Sequence, residues 1–391
     1  MPAGNHFNTM LSLELFYQYI LPAMAFYIGS CVGSFLNVVI YRVPIGLSVN
    51  EPKRSFCPSC KYNIPWYQNV PMISWLCLRG RCASCGQKIA FRYFAVELMT
   101  AIMFFVIWQV FVPDYGPGFG SGVGMAIAYW VLAGLLISAV FIDIDHFIIP
   151  DSITLGGLVA GWVAVLIVPE LMGEGTRLHS LWLSVVGAAT GFALLWLVVQ
   201  FGKAAFGRTR QEFAEPVKWS IGQEEDADEP MININGEVQP WTDVFYRSTD
   251  RMIIDVTELR INGEKHDVDQ LVVWHDRFVA GDKTFALEDV EQVEGECLKV
   301  VIPREAMGFG DVKFIAMIGA FLGWQAVLVT VFVASILGAV LGLFQKLVLR
   351  DSWLQPLPFG PYLAVGAFVW LFYGKAIVAW YLSGMGMGGG I

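Results

Sequence analysis

Apolar residues fall in runs near 15–41, 93–112, 123–142, 152–169, 181–201, 311–323, 326–345 and 359–381, with polar residues gathered between them. Most of these runs approach the roughly 20 residues that a helix needs to cross a hydrocarbon core. Inside lipid the backbone must satisfy its own hydrogen bonds, so the runs predict helices. The stretch 204–306 breaks the pattern. Charges and turn residues dominate it, and Met231–Ile234, Arg251–Val256, Leu271–Trp274 and Leu298–Ile302 predict short strands. The expected fold is an all-α polytopic membrane protein of about eight transmembrane helices, with a cytoplasmic four-cysteine zinc-binding loop and a small β-rich soluble insert. Its parts are 1–42 (first span), 43–92 (cysteine loop), 93–203 (helices two to five), 204–306 (insert) and 307–391 (helices six to eight).

Composition sharpens this division. Of the 391 residues, 56% are hydrophobic and only 15% charged, too apolar for a soluble globule. The net charge of −9 belongs to the insert: 204–306 holds 23 acids against 11 bases, a balance of −12, and the remainder holds 11 against 14. Glu224–Glu229 is expected to be a solvated linker, and the glycine-rich tail from 384 to be disordered. No basic stripe or recognition motif points to nucleic acid. Residues 1–14 lack the basic flank and cleavage site of a secretory signal, so the first run is expected to remain as a span.

The loop 43–92 contains Cys57-Pro58-Ser59-Cys60 and Cys82-Ala83-Ser84-Cys85, with 21 residues between the pairs. Two short-bite pairs predict one tetrahedral zinc held by four thiolates; two disulfides or a redox pair are the alternatives. Lys53, Arg54, Lys61, Arg79, Arg81, Lys88 and Arg92 in the same loop point to the cytoplasmic side, where thiols stay reduced. Counting spans from an outside N-terminus puts this loop, the insert, and Lys346 and Arg350 on that side. Cys31, Cys77 and Cys297 have no partner at ligand spacing and are expected to be small buried hydrophobes.

Acids stand where apolar runs end. Asp143 and Asp145 close the third run, Asp151 follows Pro150, and Asp311 opens the run after the insert. Ionisable groups at such positions are functional-site candidates. Asp151 is read as a helix cap, Glu97 either as a macrodipole partner or as part of a polar site, Asn37 as a partner in an interhelical hydrogen bond with a site-lining role as the alternative, and His146, His266 and His275 as incidental. Two close carboxylates do not both ionise cheaply, so such a pair shares a proton and supplies an acid and a base.

SFLNVVIYRVP (34–44), the paired-cysteine loop with ISWL (73–76) and RGRC (79–82), Arg92-Tyr93 through Glu97-Leu98, FIDIDHFIIPDSITL, GFGDVK and PFGPYL (358–363) resemble bacterial type IV prepilin peptidases, the leader peptidases and N-methyltransferases of type IV pilus and type II secretion systems. The resemblance spans about 1–203 and 304–382 and leaves out the insert. It implies a GxGD aspartyl protease whose catalytic pair is Asp143, seven residues before a proline, and Asp311, with Gly308 and Gly310 letting backbone and substrate come close. It also implies prepilin or pseudopilin substrates, S-adenosylmethionine as methyl donor, and a place in the bacterial inner membrane with the active site facing the cytoplasm. A related protease with other substrates and a proton- or cation-coupled transporter are the competing readings. The insert's partner is unknown; its negative balance would draw a basic leader by long-range attraction, the alternative being a neutral ornament or a module that binds another assembly protein, and its two ends are expected to lie close together.

Overall fold

A computed structural model describes residues 15–51, 54–112, 118–206, 208–222, 229–245, 250–303, 307–349 and 358–384. Residues 1–14, the acidic run at 224–228, Arg350 and the tail beyond 384 lie outside the described residues, as does the side chain of Lys346. Among the described residues six helices are long and apolar enough to cross a membrane: Phe16–Arg42, Phe91–Phe111, Phe119–His146, Arg177–Ala204, Phe309–Phe344 and Gly360–Tyr381. The helical elements are α1 (Leu21–Arg42, continuing a π-helical turn at Phe16–Ile20), α2 (Ile73–Cys77), α3 (Phe91–Phe111), α4 (Phe119–His146), α5 (Asp151–Ile167), α6 (Arg177–Phe206), α7 (Trp241–Val244), α8 (Phe309–Leu349) and α9 (Gly360–Gly384). The expected runs at 311–323 and 326–345 are the two arms of α8, separated by Gly323 at φ 81° and ψ 174°, which is not helical. The run at 152–169 is α5, an apolar helix of 17 residues.

Apolar helices gain little from hydrophobicity when they meet inside lipid, so close packing by small residues does that work. Gly29 and Gly33 of α1 lie against Ala101, Phe104 and Glu97 of α3, and the Asn37 amide donates to the Tyr93 carbonyl at 3.0 Å, the interhelical role expected of it. Gly157 and Gly161 of α5 face Met317 and Phe321 of α8. The backbones of α6 and α8 also approach closely. A Cβ on Gly187 would stand 2.3 Å from the Gly319 carbonyl oxygen, and the Ser184 hydroxyl donates to the Ala320 carbonyl at 2.5 Å.

A second compact unit holds an antiparallel sheet in the order β3-β2-β1-β9-β4-β6-β7-β8, with β5 paired to β4. Four strands match sequence expectations: β2 (Met231–Ile234), β4 (Arg251–Ile261), β6 (Gln270–Trp274) and β9 (Gln292–Pro303). The others are β1 (Arg208–Gly222), β3 (Glu237–Pro240), β5 (Glu264–His266), β7 (Arg277–Ala280) and β8 (Lys283–Ala286). β1 escapes sequence reading because it is rich in charge and contains Pro216; its ladder to β9 slips between Glu212 and Val217, where a residue without an N–H is tolerated. Arg208 sits opposite Pro303, so the ends of the sheet domain are neighbours. Alternating residues of β4 (Met252, Ile254, Val256) join Trp219, Phe278 and Val293 in the core, and Trp241 and Phe245 add to it. Cys297 is buried there as expected, whereas Cys31 and Cys77 are exposed. Burial was the wrong expectation for those two because they lie on outward faces of their helices. His266 meets the Phe285 ring edge-on, and His275 is exposed.

The α6–α8 contact gives a direct test. Gly187→Val adds atoms where even a Cβ has no room, and overpacking of this kind costs about 1–3 kcal/mol. The variant should unfold at lower temperature in detergent than the parent; an unchanged midpoint contradicts the packing.

Candidate active site

Asp143 lies on the last turn of α4 and is 5% exposed; Asp311 lies on the first turn of α8 and is 8% exposed. After Asp143 the chain reverses abruptly. Phe147 takes a left-handed conformation (φ 53°, ψ 31°) and donates its N–H to the Asp143 carbonyl at 2.9 Å, closing α4. A non-glycine residue in that region is uncommon and carries strain. Pro150 is extended and sterically bars α4 from continuing, and α5 begins at Asp151.

Between these points Ile149 is driven inward, 7% exposed. A Cβ on Gly310 would stand 3.3 Å from its Cβ, and a Cβ on Gly360 would stand 3.1 Å from its Cδ1. Gly360 opens α9 and donates its N–H to Asp143 Oδ2 at 2.9 Å; a Cβ at that position would sit 2.7 Å from the same oxygen. Ile149 therefore touches the residue beside Asp311 and the residue that holds Asp143. That is how two acids far apart in sequence come to one neighbourhood. Both carboxyl groups also lie at helix N-termini, where amides favour negative charge. Gly308 is half-buried just ahead of α8.

The other acids have different partners. Lys313 Nζ pairs with Asp151 Oδ1 at 2.6 Å, joining the start of α8 to the start of α5. Asp151 does begin a helix, but Pro150 occupies the cap position and the Asp151 side chain makes no cap hydrogen bond, so the expected capping role is replaced by this ion pair. Asp145 pairs with Arg92 at the start of α3. His146 is exposed on the last turn of α4. Sequence reasoning assigned no role to Ile149, Gly360 or Lys313, although PFGPYL and GFGDVK were visible; what was missing was a reason for a glycine at 360, and the reason is contact with a carboxylate.

The four cysteines assemble separately. Their sulfurs all lie within 4.8 Å of one another, with Cys57–Cys85 at 3.9 Å and Cys60–Cys82 at 4.0 Å. Two matching turns build the cluster. Lys61 N–H reaches the Cys57 carbonyl (2.9 Å) and Gly86 N–H the Cys82 carbonyl (3.0 Å), and both donor residues have positive φ. A Zn–S bond of about 2.3 Å sets tetrahedral sulfur–sulfur edges of roughly 3.8 Å, so this donor set fits that ion, and all seven cysteines are free thiols. The amide N–H of Cys60, aided by that of Ser59, holds the Cys57 thiol down to about 6. The amides of Cys85 and Ser84 lower Cys82 likewise. At Cys85 the Gln87 amide pulls the same way but is outweighed by burial and by the neighbouring sulfurs, leaving it up at about 11.

Beside this cluster lies a cavity of about 410 Å³, walled by the cysteine loop, the end of α1 and the start of α3. Glu97 lines it, 9% exposed, and accepts the Met72 N–H at 2.6 Å. Its partner lies in the adjacent loop, outside its own helix, which favours the polar-site reading of Glu97 over the macrodipole one. Arg42, also in the wall, donates to the carbonyls of Ser48 and Val49.

Residues 27–111 match the family described as bacterial peptidase A24 N-terminal domain, and residues 130–209 and 285–343 match the type IV leader peptidase family. A prepilin leader peptidase/N-methyltransferase of Neisseria gonorrhoeae is 35% identical over 224 residues, covering 51% of this chain and 72% of its own length. The chain belongs to the type IV leader peptidase family. A similarly named protein of Myxococcus xanthus is 38% identical over 200 residues, covering 51% of this chain and 54% of its own length. One of Aeromonas hydrophila is 27% identical over 384 residues, covering 92% of this chain and 93% of its own. No solved structure matches the chain. The gap between the two leader-peptidase segments, 210–284, falls within the sheet domain.

The cysteine cluster predicts a pH response. A thiol with lowered pKa is a thiolate above that value, so chelator-treated protein should gain thiolate ultraviolet absorbance with a first midpoint near pH 6. Cys57→Ser should remove that first step. A first midpoint at the ordinary thiol value of about 8.5 contradicts the described amide geometry.

Proposed function

We propose that the chain is a membrane aspartyl endopeptidase that removes leader peptides from type IV prepilins or type II secretion pseudopilins, and then methylates the new N-terminus from S-adenosylmethionine. Asp143 and Asp311 are the catalytic pair, Gly308 and Gly310 leave room for the substrate, and the site faces the cytoplasm from the inner membrane. The observation that carries this reading is that Ile149 adjoins both Gly310, the neighbour of buried Asp311, and Gly360, whose N–H is on buried Asp143. Family membership and relatives named prepilin leader peptidase/N-methyltransferase support it. The six apolar spans, with α5 and the break in α8, support a multi-pass protein of about eight crossings.

The chemistry follows from sharing one proton between two carboxyl groups. The ionised member takes a proton from water, whose oxygen attacks the scissile carbonyl carbon; the protonated member donates to the carbonyl oxygen. Collapse breaks the carbon–nitrogen bond as a proton passes to the leaving amine, which becomes the new N-terminus. Cys57, Cys60, Cys82 and Cys85 hold one structural zinc, since four protein ligands leave no open position for water. Zinc supplies that loop with a crosslink.

Asp143→Asn and Asp311→Asn should each lower cleavage of a prepilin-like peptide by at least about 100-fold while membrane insertion persists. Asp145→Asn and Asp151→Asn should keep most activity. Ordinary cleavage by either variant of the pair refutes the assignment, and loss confined to Asp145→Asn moves the site by one half-turn. Elemental analysis of the purified protein should find about one zinc per chain, and Cys60→Ser should abolish it; zinc-free protein with all four cysteines in disulfides contradicts the metal site.

A further inference from the structure

Hydrolysis and methyl transfer need different surroundings, and the molecule has two places for them. The cavity beside the cysteine loop is lined by none of Asp143, Ile149, Asp311 or Gly360. Its volume of about 410 Å³ lies within the roughly 300–1,000 Å³ typical of small-molecule sites. Tyr41, Phe56, Tyr62, Trp75 and Tyr93 line its walls, and Glu97 is the only carboxylate among the described lining residues, whose cations are Arg42 and Lys88. Aromatic faces suit a flat purine, and they attract an alkylated cation without needing a counter-charge. A buried carboxylate is costly unless it accepts hydrogen bonds or faces a positive group; Met72 N–H meets the first need, and a cationic ligand would meet the second.

We infer that this cavity is the methyl-transfer site, its aromatic walls holding S-adenosylmethionine and the Glu97 carboxylate receiving the amine of the cleaved pilin. The inference rests on the methylation reading above and assigns the residues that reading lacks. An α-amino group titrates at about 8, so near neutral pH most of it is ammonium and has no free pair. Glu97 binds that ammonium and takes one proton. The freed nitrogen pair forms a bond to the methyl carbon while the carbon–sulfur bond breaks, its electrons staying on sulfur, and the methylated amine sheds its extra proton to water. The two places are neighbours through α3: Tyr93 lines the cavity, adjacent Arg92 pairs with Asp145, and Asp145 stands two residues from Asp143. The Arg92–Asp145 pair thus links the cavity wall to the turn that carries Asp143.

Three readouts on the purified full-length protein separate the alternatives: cleavage of a prepilin-like peptide, methyl incorporation into a pre-cleaved peptide, and equilibrium dialysis of S-adenosylhomocysteine. Val38→Trp, on the α1 wall, and Ala83→Trp, on the loop wall, fill the cavity from opposite sides. Each should weaken S-adenosylhomocysteine binding by about tenfold or more, roughly 1.4 kcal/mol, with cleavage and zinc content unchanged. Glu97→Gln should keep cleavage and S-adenosylhomocysteine binding, and should lower methyl incorporation by at least about 100-fold. Parental binding by both tryptophan variants overturns the cavity assignment. Parental methylation by Glu97→Gln, or loss of cleavage and methylation together, overturns the role of Glu97 in favour of a carboxylate that merely anchors the Met72 loop. Parent protein that cleaves but neither binds the analogue nor methylates removes the methylation reading itself, a result distinct from failure of the variants alone.

Discussion

A carboxylate taken out of water costs several kcal/mol unless donors replace the hydration it loses, and this constraint organises the end of α4. The Gly360 N–H supplies a donor to Asp143 at 2.9 Å, which requires α9 to begin at that point and requires a residue without a side chain there. Ile149 then fills the space between Gly360 and Gly310, tying the start of α8 to the same position. The strained turn at Phe147 and the stop at Pro150 deliver Ile149 inward. Three chain segments, around residues 143–149, 310 and 360, are thus fixed by one acid, one amide and one apolar wedge.

Ion pairs bind the rim of this arrangement. Lys313–Asp151 joins α8 to α5, and Arg92–Asp145 joins α3 to α4. Their members are partly exposed, and such pairs are worth only about 0–1 kcal/mol in water, so their main effect is to set position. The sheet domain solves a different problem. It satisfies its backbone through ladders and buries a core of its own, and its ends lie opposite each other at Arg208 and Pro303.

How much of this was legible in the sequence depended on the range of the interaction. Apolar runs revealed the helices, because lipid imposes one length and one backbone solution. The cysteine spacing revealed the four-sulfur cluster, because short bites fix geometry locally. The acids stood out by position, but preferring Asp143 to Asp145 rested on the family motif; in the structure Asp145 turns to Arg92 while Asp143 meets Gly360. Ile149 looked like any apolar residue, since nothing local tells a wedge from a lipid-facing side chain. β1 was hidden by its charges and Pro216, and Cys31 and Cys77 by a rule that cysteines are usually buried, which outward helix faces override.

The central claim is that the loop after Asp143 meets the glycine before Asp311. Replacing both partners, Ile149→Cys and Gly310→Cys, puts two Cβ atoms about 3.3 Å apart, close to the roughly 3.5–4.5 Å of a disulfide. Mild oxidation of this double variant in membranes, followed by proteolysis and mass spectrometry, should find peptides 149 and 310 joined in most of the protein, whereas Ile144→Cys with Gly310→Cys should give none. Failure of the first pair to join while the protein stays folded would contradict the assembly on which the catalytic proposal rests.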